Sequence, residues 1–466
     1  MTATLETTAE APPDRRRWWA LGALALAQLL VIIDTTVVNI ALPSTQRDLG
    51  MSDVARQWTI SAYTLAFGGL LLLGGRLADR LGRKNTLLIG ITGFALASAV
   101  GGAAGSSAML IAARAAQGVF AALLAPSTIS LLTLTFTDPK ERAKAFGYFS
   151  AIIMSGAAVG LILGGALTQY LNWRWCLYVN LPIAVLAGVA GWFVLPRIPG
   201  HRAAKLDWLS GLLGSAGIVA LVYGLSEAAS RGWGSALVLS CLGIAVATLV
   251  AFVVRQGKLP NPLLPLSVVT DRQRAAGYLT IGVASFGMFG MFLFLTYQMQ
   301  AILGYGALAA GLAFLPLLGA NFLVSSQISR RLLPRFGPRP FWTAGLALLA
   351  CGLFLLVWLT PGASYFGLIL PAEVLLGAGV GLAMPVVMNV ATSGIEPKDA
   401  GVASAFITTS QQVGASLGTA SLNTIAASAT AGTSATAIVH GYATASGWAA
   451  GIVLVVAGVV GALARK

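Results

Sequence analysis

Asp34, Arg114 and Glu373 are ionisable residues that stand inside long apolar stretches. At the centre of a bilayer each would cost a few kcal/mol or more unless it faced a cavity or a partner. A carboxyl group in such a place can hold or release a proton, because desolvation favours the neutral acid and a nearby guanidinium favours the ionised one. Conformation can then decide protonation. If one arrangement lets a proton onto Asp34 and another brings Arg114 or a cationic ligand close, proton uptake and ligand release become linked. The competing reading is a static ion pair that holds two helices together. Gln117 falls three residues after Arg114 on the same helical face and extends the polar stripe. Glu373 lies early in its apolar run, so it is either a second proton or ligand site or a helix end reached by water from the outer vestibule.

The elements that must position these residues are membrane helices. Only 9% of the residues are charged, 57% are hydrophobic and the mean hydropathy is +0.82, whereas soluble domains carry about 25% charged residues. Apolar runs of about 20 residues, enough to cross the hydrocarbon core, start near Trp18, Trp58, Thr86, Ala108, Gly147, Trp173, Trp208, Ser235, Ala275, Leu308, Phe341, Ser364, Gly401 and Tyr442. These make fourteen expected spans. With the N-terminus inside, 24 of the 29 basic residues fall on the inner face, and Arg47, Arg56, Arg174 and Arg231 fall outside. That alternation follows the positive-inside rule, fixes an even number of spans and places both termini in the cytoplasm. The net charge of +14 therefore reflects topology, and no nucleic-acid partner is expected.

Other chemistries find no support. Cys176, Cys241 and Cys351 form neither a CxxC pair nor a Cys/His cluster, so neither a disulfide framework nor a zinc site is expected. Arg15 to Ile33 has the look of a signal peptide, but thirteen further spans mark it as an uncleaved first helix. No GxxxxGK[ST] phosphate loop and no HExxH occurs, which leaves ATP, metal and cofactor chemistry without a site. An enzyme is not expected. Glu227 and His440 read as exposed residues.

The chain repeats itself. Arg114, Gly118 and Pro126 recur as Glu373, Gly377 and Pro385 with the same internal spacing, Asp138-Pro139-Lys140-Glu141 recurs as Glu396-Pro397-Lys398-Asp399, and Gly156 and Gly160 recur as Gly414 and Gly418. A fainter echo sets Arg80-Leu81-Gly82 over Arg335-Phe336-Gly337. Parallel repeats imply a pseudo-twofold axis along the membrane normal and a site near the midplane between the halves. The expected units are residues 1–196, a six-helix bundle with a short tail; 197–271, a linker with two inserted spans; and 272–466, the second six-helix bundle.

Several motifs carry a family resemblance. GRLADRLGRK at Gly75 to Lys84, DTTVVNIALP at Asp34 to Pro43 and RAAQG at Arg114 to Gly118 stand in order. They are followed by WRW at Trp173 to Trp175 with Asn180 and Pro182, by Tyr297 through Gly311 to Pro316, and by GVAS at Gly401 to Ser404. In this the chain resembles the major facilitator superfamily, and within it the fourteen-helix drug-proton antiporters, over nearly its whole length.

The resemblance implies an all-α integral membrane protein of the major facilitator fold, with helices arranged 6+2+6 in two pseudo-twofold-related bundles. It implies proton-coupled export of hydrophobic or cationic drugs or antibiotic-like compounds by alternating access, from a monomer in a bacterial plasma membrane without a cofactor. Asp34, Arg114 and Glu373 become its proton-coupling and substrate residues. Gly75, Asp79, Arg80, Arg83 and Arg142 become an interdomain latch, with Asp79 facing the start of span thirteen near Ala400. Gly156, Gly160, Gly164 and Gly165 match the antiporter packing motif, although Leu161 stands where that motif has proline. Span nine, Phe286 to Gln300, offers an adaptable aromatic and methionine surface, and Tyr297 and Gln300 are its cavity candidates. Proton-coupled uptake of a small molecule and a non-transporting membrane sensor or scaffold are the alternatives.

Overall fold

A computed structural model describes residues 15–136, 138–196, 207–259, 262–264, 266–328, 338–392 and 400–463. Among them every regular element is a helix. The first half contains α1 (Arg15–Asp48), α2 (Asp53–Leu81), α3 (Arg83–Gly102), α4 (Ser107–Thr135), α5 (Pro139–Tyr170) and α6 (Asn180–Val194). Then come α7 (Trp208–Arg231) and α8 (Ala236–Lys258). The second half contains α9 (Arg272–Tyr297), α10 (Ala307–Ala313 continued by Leu315–Leu323), α11 (Pro338–Leu355), α12 (Leu370–Thr392), α13 (Ala400–Ala429) and α14 (Ala435–Leu463). Each apolar run expected from the sequence falls on one of these helices, and eleven of the described helices are long and apolar enough to cross a membrane. In hydrocarbon a backbone must satisfy its own hydrogen bonds, and the helix does so within one segment.

Local chemistry sets the helix ends. Ser52 accepts a hydrogen bond from the Ala55 amide and Ser106 one from the Met109 amide, capping α2 and α4. Gly82, with φ of 88°, is the whole connection between α2 and α3, and a side chain there would be strained. Lys84 of the same basic stretch reaches α6, where its Nζ donates to the Trp192 and Leu195 carbonyls at 2.6 and 2.8 Å. It satisfies carbonyls at a helix terminus that lack intrahelical donors.

Glycine governs which helices touch, and it does so alike in both halves. A Cβ on Gly156, Gly160 or Gly164 of α5 would press on Leu29, Thr36 or Val37 of α1, and one on Gly414 or Gly418 of α13 would meet Gly282 or Phe286 of α9. Gly118 packs α4 against the Tyr63 carbonyl of α2, and its counterpart Gly377 packs α12 against the Leu317 carbonyl of α10. Gly90 sets α3 on α4, while Gly345 and Gly352 set α11 on α12. Small residues that let backbones approach are the usual means of association in lipid, where no hydrophobic force drives helices together. The core of the second half also takes in Ile40, Leu42, Ile60 and Leu161 from the first, so apolar packing runs across the seam.

Candidate functional site

The first half encloses a polar network at the expected pair. Arg114 on α4 and Asp34 on α1 meet at 2.5 Å, with side chains 3% and 0% exposed. Gln117, one turn after Arg114, accepts from the Arg114 guanidinium at 2.8 Å and donates to the other Asp34 oxygen at 2.8 Å and to Ser98 of α3 at 2.7 Å. Asn180, the first residue of α6, donates to the same Asp34 oxygen at 2.7 Å. The Arg114 Nε donates to the Thr59 carbonyl of α2 at 3.3 Å, and its guanidinium lies 4.4 Å from the Tyr63 ring centre. Five helices thus meet in one polar network centred on Asp34.

Glu373 sits in a different setting. It is fully buried on α12, and neither carboxyl oxygen has a hydrogen-bond partner among the described residues. Tyr365, two turns before it, lies beside it but gives its hydroxyl to the Ala313 carbonyl at 2.7 Å. Glu373 stands in the first turn of α12 yet is fully buried, so the reading of a helix end reached by water is corrected. Burial without a donor or cation is costly for an ionised acid, and the two repeat-related positions, Arg114 and Glu373, carry opposite kinds of group.

A second polar cluster crosses the seam between halves at the end where α1 stops and α2 begins. Arg56, 7% exposed, pairs with Asp53 at 3.0 Å, donates to Asn423 of α13 at 3.1 Å and lies 4.5 Å from the ring centre of Tyr297 on α9. Asn423 donates in turn to Gln57 at 2.7 Å. The Tyr297 hydroxyl donates to Gln46 at 2.6 Å, Gln300 donates to the Ile40 carbonyl at 2.9 Å, and one step deeper Ser416 donates to Thr64 at 2.5 Å. Tyr297 and Gln300 are thus seam residues whose polar groups face the opposite half. Gly165 of α5 abuts Leu308 of α10 at the same end, where a Cβ would lie 2.6 Å from the Leu308 Cα, and the carbonyl of Leu161 packs on Gly311. In place of a proline kink, α5 runs unbroken through Leu161.

The remaining expected residues lie at the opposite end. A Cβ on Gly75 would lie 3.9 Å from that of Pro126, an ordinary van der Waals contact. Arg80 is exposed, and Arg83 and Arg142 are half-buried. The side chains of Asp79 and of Ala400 lie outside the described residues, and the expected contact between them lies there too. Ser98 and Thr59 of the Asp34 network carry no signal in the sequence, where Arg56 reads as an outer-face charge. A buried serine has no periodic signature, and Arg56 in the first turn of α2 reads like any flanking charge.

Paired glycine-packed bundles around buried ionisable groups define a multi-pass helical membrane protein. The Major Facilitator Superfamily model matches residues 24–419, and the chain belongs to that superfamily. It is similar to the puromycin resistance protein pur8 of Streptomyces alboniger, 50% identical over 467 residues that cover 97% of this chain and 92% of that protein. It is also similar to the cephamycin export protein CmcT of Amycolatopsis lactamdurans, 38% identical over 424 residues, 90% of this chain and 87% of that one. The crystal structure of the POT family transporter PepTSo shares the fold, with a TM-score of 0.72 at 17% identity over 98% of both chains.

Proposed function

We propose that the protein exports hydrophobic or cationic antibiotic-like compounds across the bacterial plasma membrane in exchange for protons, with both termini in the cytoplasm. Similarity at 50% identity over nearly the full length of a puromycin resistance protein supports the export reading. In this reading residues 1–196 and 272–466 are the two moving bundles and 197–271 is the insertion between them. The matched glycine contacts of the two halves support that division.

The observation that carries proton coupling is the contrast between two buried carboxyls. Asp34 is ringed by donors and a guanidinium, whereas neither Glu373 oxygen has a hydrogen-bond partner among the described residues. Rocking of the halves strips donors from Asp34 and lets a proton on; return of Arg114 drives it off. A cationic substrate competes with Arg114 for the same carboxylate, so substrate and proton exclude one another.

With the termini inside, the cluster of Arg56, Gln57, Asn423, Tyr297 and Gln46 closes the outer end of that path. The test is expression in a host lacking its own pumps. Raised resistance to puromycin and ethidium, abolished by a protonophore, is the expected outcome. Net accumulation of either compound, or resistance untouched by the protonophore, would contradict it.

A further inference from the structure

The inserted pair α7 and α8 has no counterpart in the duplicated bundles, yet α7 lies along the seam itself. On one side it follows α2 over most of its length. Ser215 donates to the Gly69 carbonyl at 2.5 Å, Gly211 receives the Leu73 side chain, and Tyr223 packs on Trp58 with ring centres 5.5 Å apart. On the other side it packs just as closely on α13 through Val222 and Leu225, with Thr424 of α13 donating to the Leu225 carbonyl at 3.2 Å. Leu65 of α2, Val222 of α7 and Ala420 of α13 are the buried centre of one apolar cluster, with Ile218, Leu225 and Leu417 packed on it.

The register matters. Trp58 and Thr424, the residues that meet α7, are the immediate chain neighbours of Gln57 and Asn423, which bond to each other across the seam. Polar side chains facing hydrocarbon are expensive, and this seam would otherwise open sideways onto lipid. α7 covers it, while α8 stands behind α7, packed on it through Gly217 and Gly224.

We infer that α7 is a lateral seal that belongs mechanically to the first half: it travels with α2, and it parts from α13 each time the outer end opens. The inserted pair thereby keeps the Arg56–Asn423 cluster out of lipid while it closes, and releases it only along the α7–α13 line. This rests on the alternating-access reading above.

The test joins α7 to each neighbour in turn. A Cβ on Gly69 lies 3.9 Å from that of Ser215, within the range a disulfide requires. Gly69→Cys with Ser215→Cys therefore ties α7 to α2, and Leu225→Cys with Thr424→Cys, bridged through two disulfides by a short bis-methanethiosulfonate, ties α7 to α13. Cys241, beside Gly224, is replaced by alanine in both. Energised everted vesicles loaded by ethidium uptake are compared before bridging, after it and after reduction. The α2 bridge is expected to leave transport within twofold, and the α13 bridge to lower it at least tenfold, reversed by reductant. Undiminished transport with the α13 bridge, or loss with the α2 bridge, overturns the inference. Wild type that moves no ethidium or puromycin would instead count against the export reading. Spin labels at the same two pairs decide the case without transport: on acidifying the outer face the 225/424 distance is expected to gain a longer population and the 69/215 distance to stay fixed. The reverse pattern overturns it.

Discussion

Asn423 of α13 is bonded to two consecutive residues of α2, accepting from Arg56 at 3.1 Å and donating to Gln57 at 2.7 Å. One side chain of the second half thus holds both partners in the first, and all three are buried. In the proposed cycle, closure at this end would rest on these few directed bonds, laid over the apolar contacts of Gly165 and Gly311.

Arg56→Ala removes the charged member of that cluster. Charge-assisted hydrogen bonds of this kind contribute about 1.5–3 kcal/mol each, so closure is expected to weaken by one to two orders of magnitude in population. A cysteine placed at Ser416, just beneath, should react with an impermeant thiol reagent at least tenfold faster than in the parent. An unchanged labelling rate would remove Arg56 from the closure.

Two adjacent glycines separate stability from gating. A Cβ at Gly164 meets the Val37 Cα at 2.8 Å within the first half, and one at Gly165 meets the Leu308 Cα at 2.6 Å across the seam. Backbone atoms cannot step aside, so Gly164→Ala is expected to cost about 1–3 kcal/mol, read as a lower melting temperature in detergent. Gly165→Ala should leave the melting temperature nearly unchanged and raise outer-face labelling at Ser416→Cys.

Asp34→Asn leaves Arg114 as a buried charge without its counterion. Breaking such a pair costs about 3–5 kcal/mol, so lower thermal stability should accompany loss of pH-driven efflux. Adding Arg114→Gln should restore much of the stability and none of the transport. Glu373→Gln removes no ion pair and is expected to change stability by less than about 1 kcal/mol while abolishing coupling. Equal destabilisation by both single substitutions would erase the distinction between the two acids.

Outside the membrane, burial pushes the Asp207 carboxyl up, but hydrogen bonds from Ser210 and Arg255 and the Arg255 charge outweigh it and hold the group below its usual 3.8. A depressed folded value means that its contribution is present above 3.8 and lost as pH falls through the still lower folded value. This pair at the start of α7 is therefore constant from pH 5 to 8. Asp207→Asn should leave the pH profile of efflux over that range unchanged.

The helices and the central pair were legible because both have simple signatures. Apolar runs and basic loops mark spans, and Asp34, Arg114 and Gln117 are conspicuous polar groups in grease at helical spacing. The repeat was legible in its glycines, since each is the contact that sets a crossing. Asn180 entered only as part of a motif, and Ser98 not at all, because a small polar residue on a third helix gives no spacing to read. Arg56 was hidden by its place at a span end, where charge is ordinary. The position of α7 was hidden because an unrepeated helix has no internal reference.

Proton movement coupled to cargo is the property most directly measurable. In liposomes holding a pH-sensitive dye, addition of ethidium or puromycin should drive stoichiometric proton counterflow by the wild type, and Asp34→Asn and Glu373→Gln, each verified as folded, should show none. Cargo movement without proton counterflow in the wild type, or full counterflow in both variants, would contradict it.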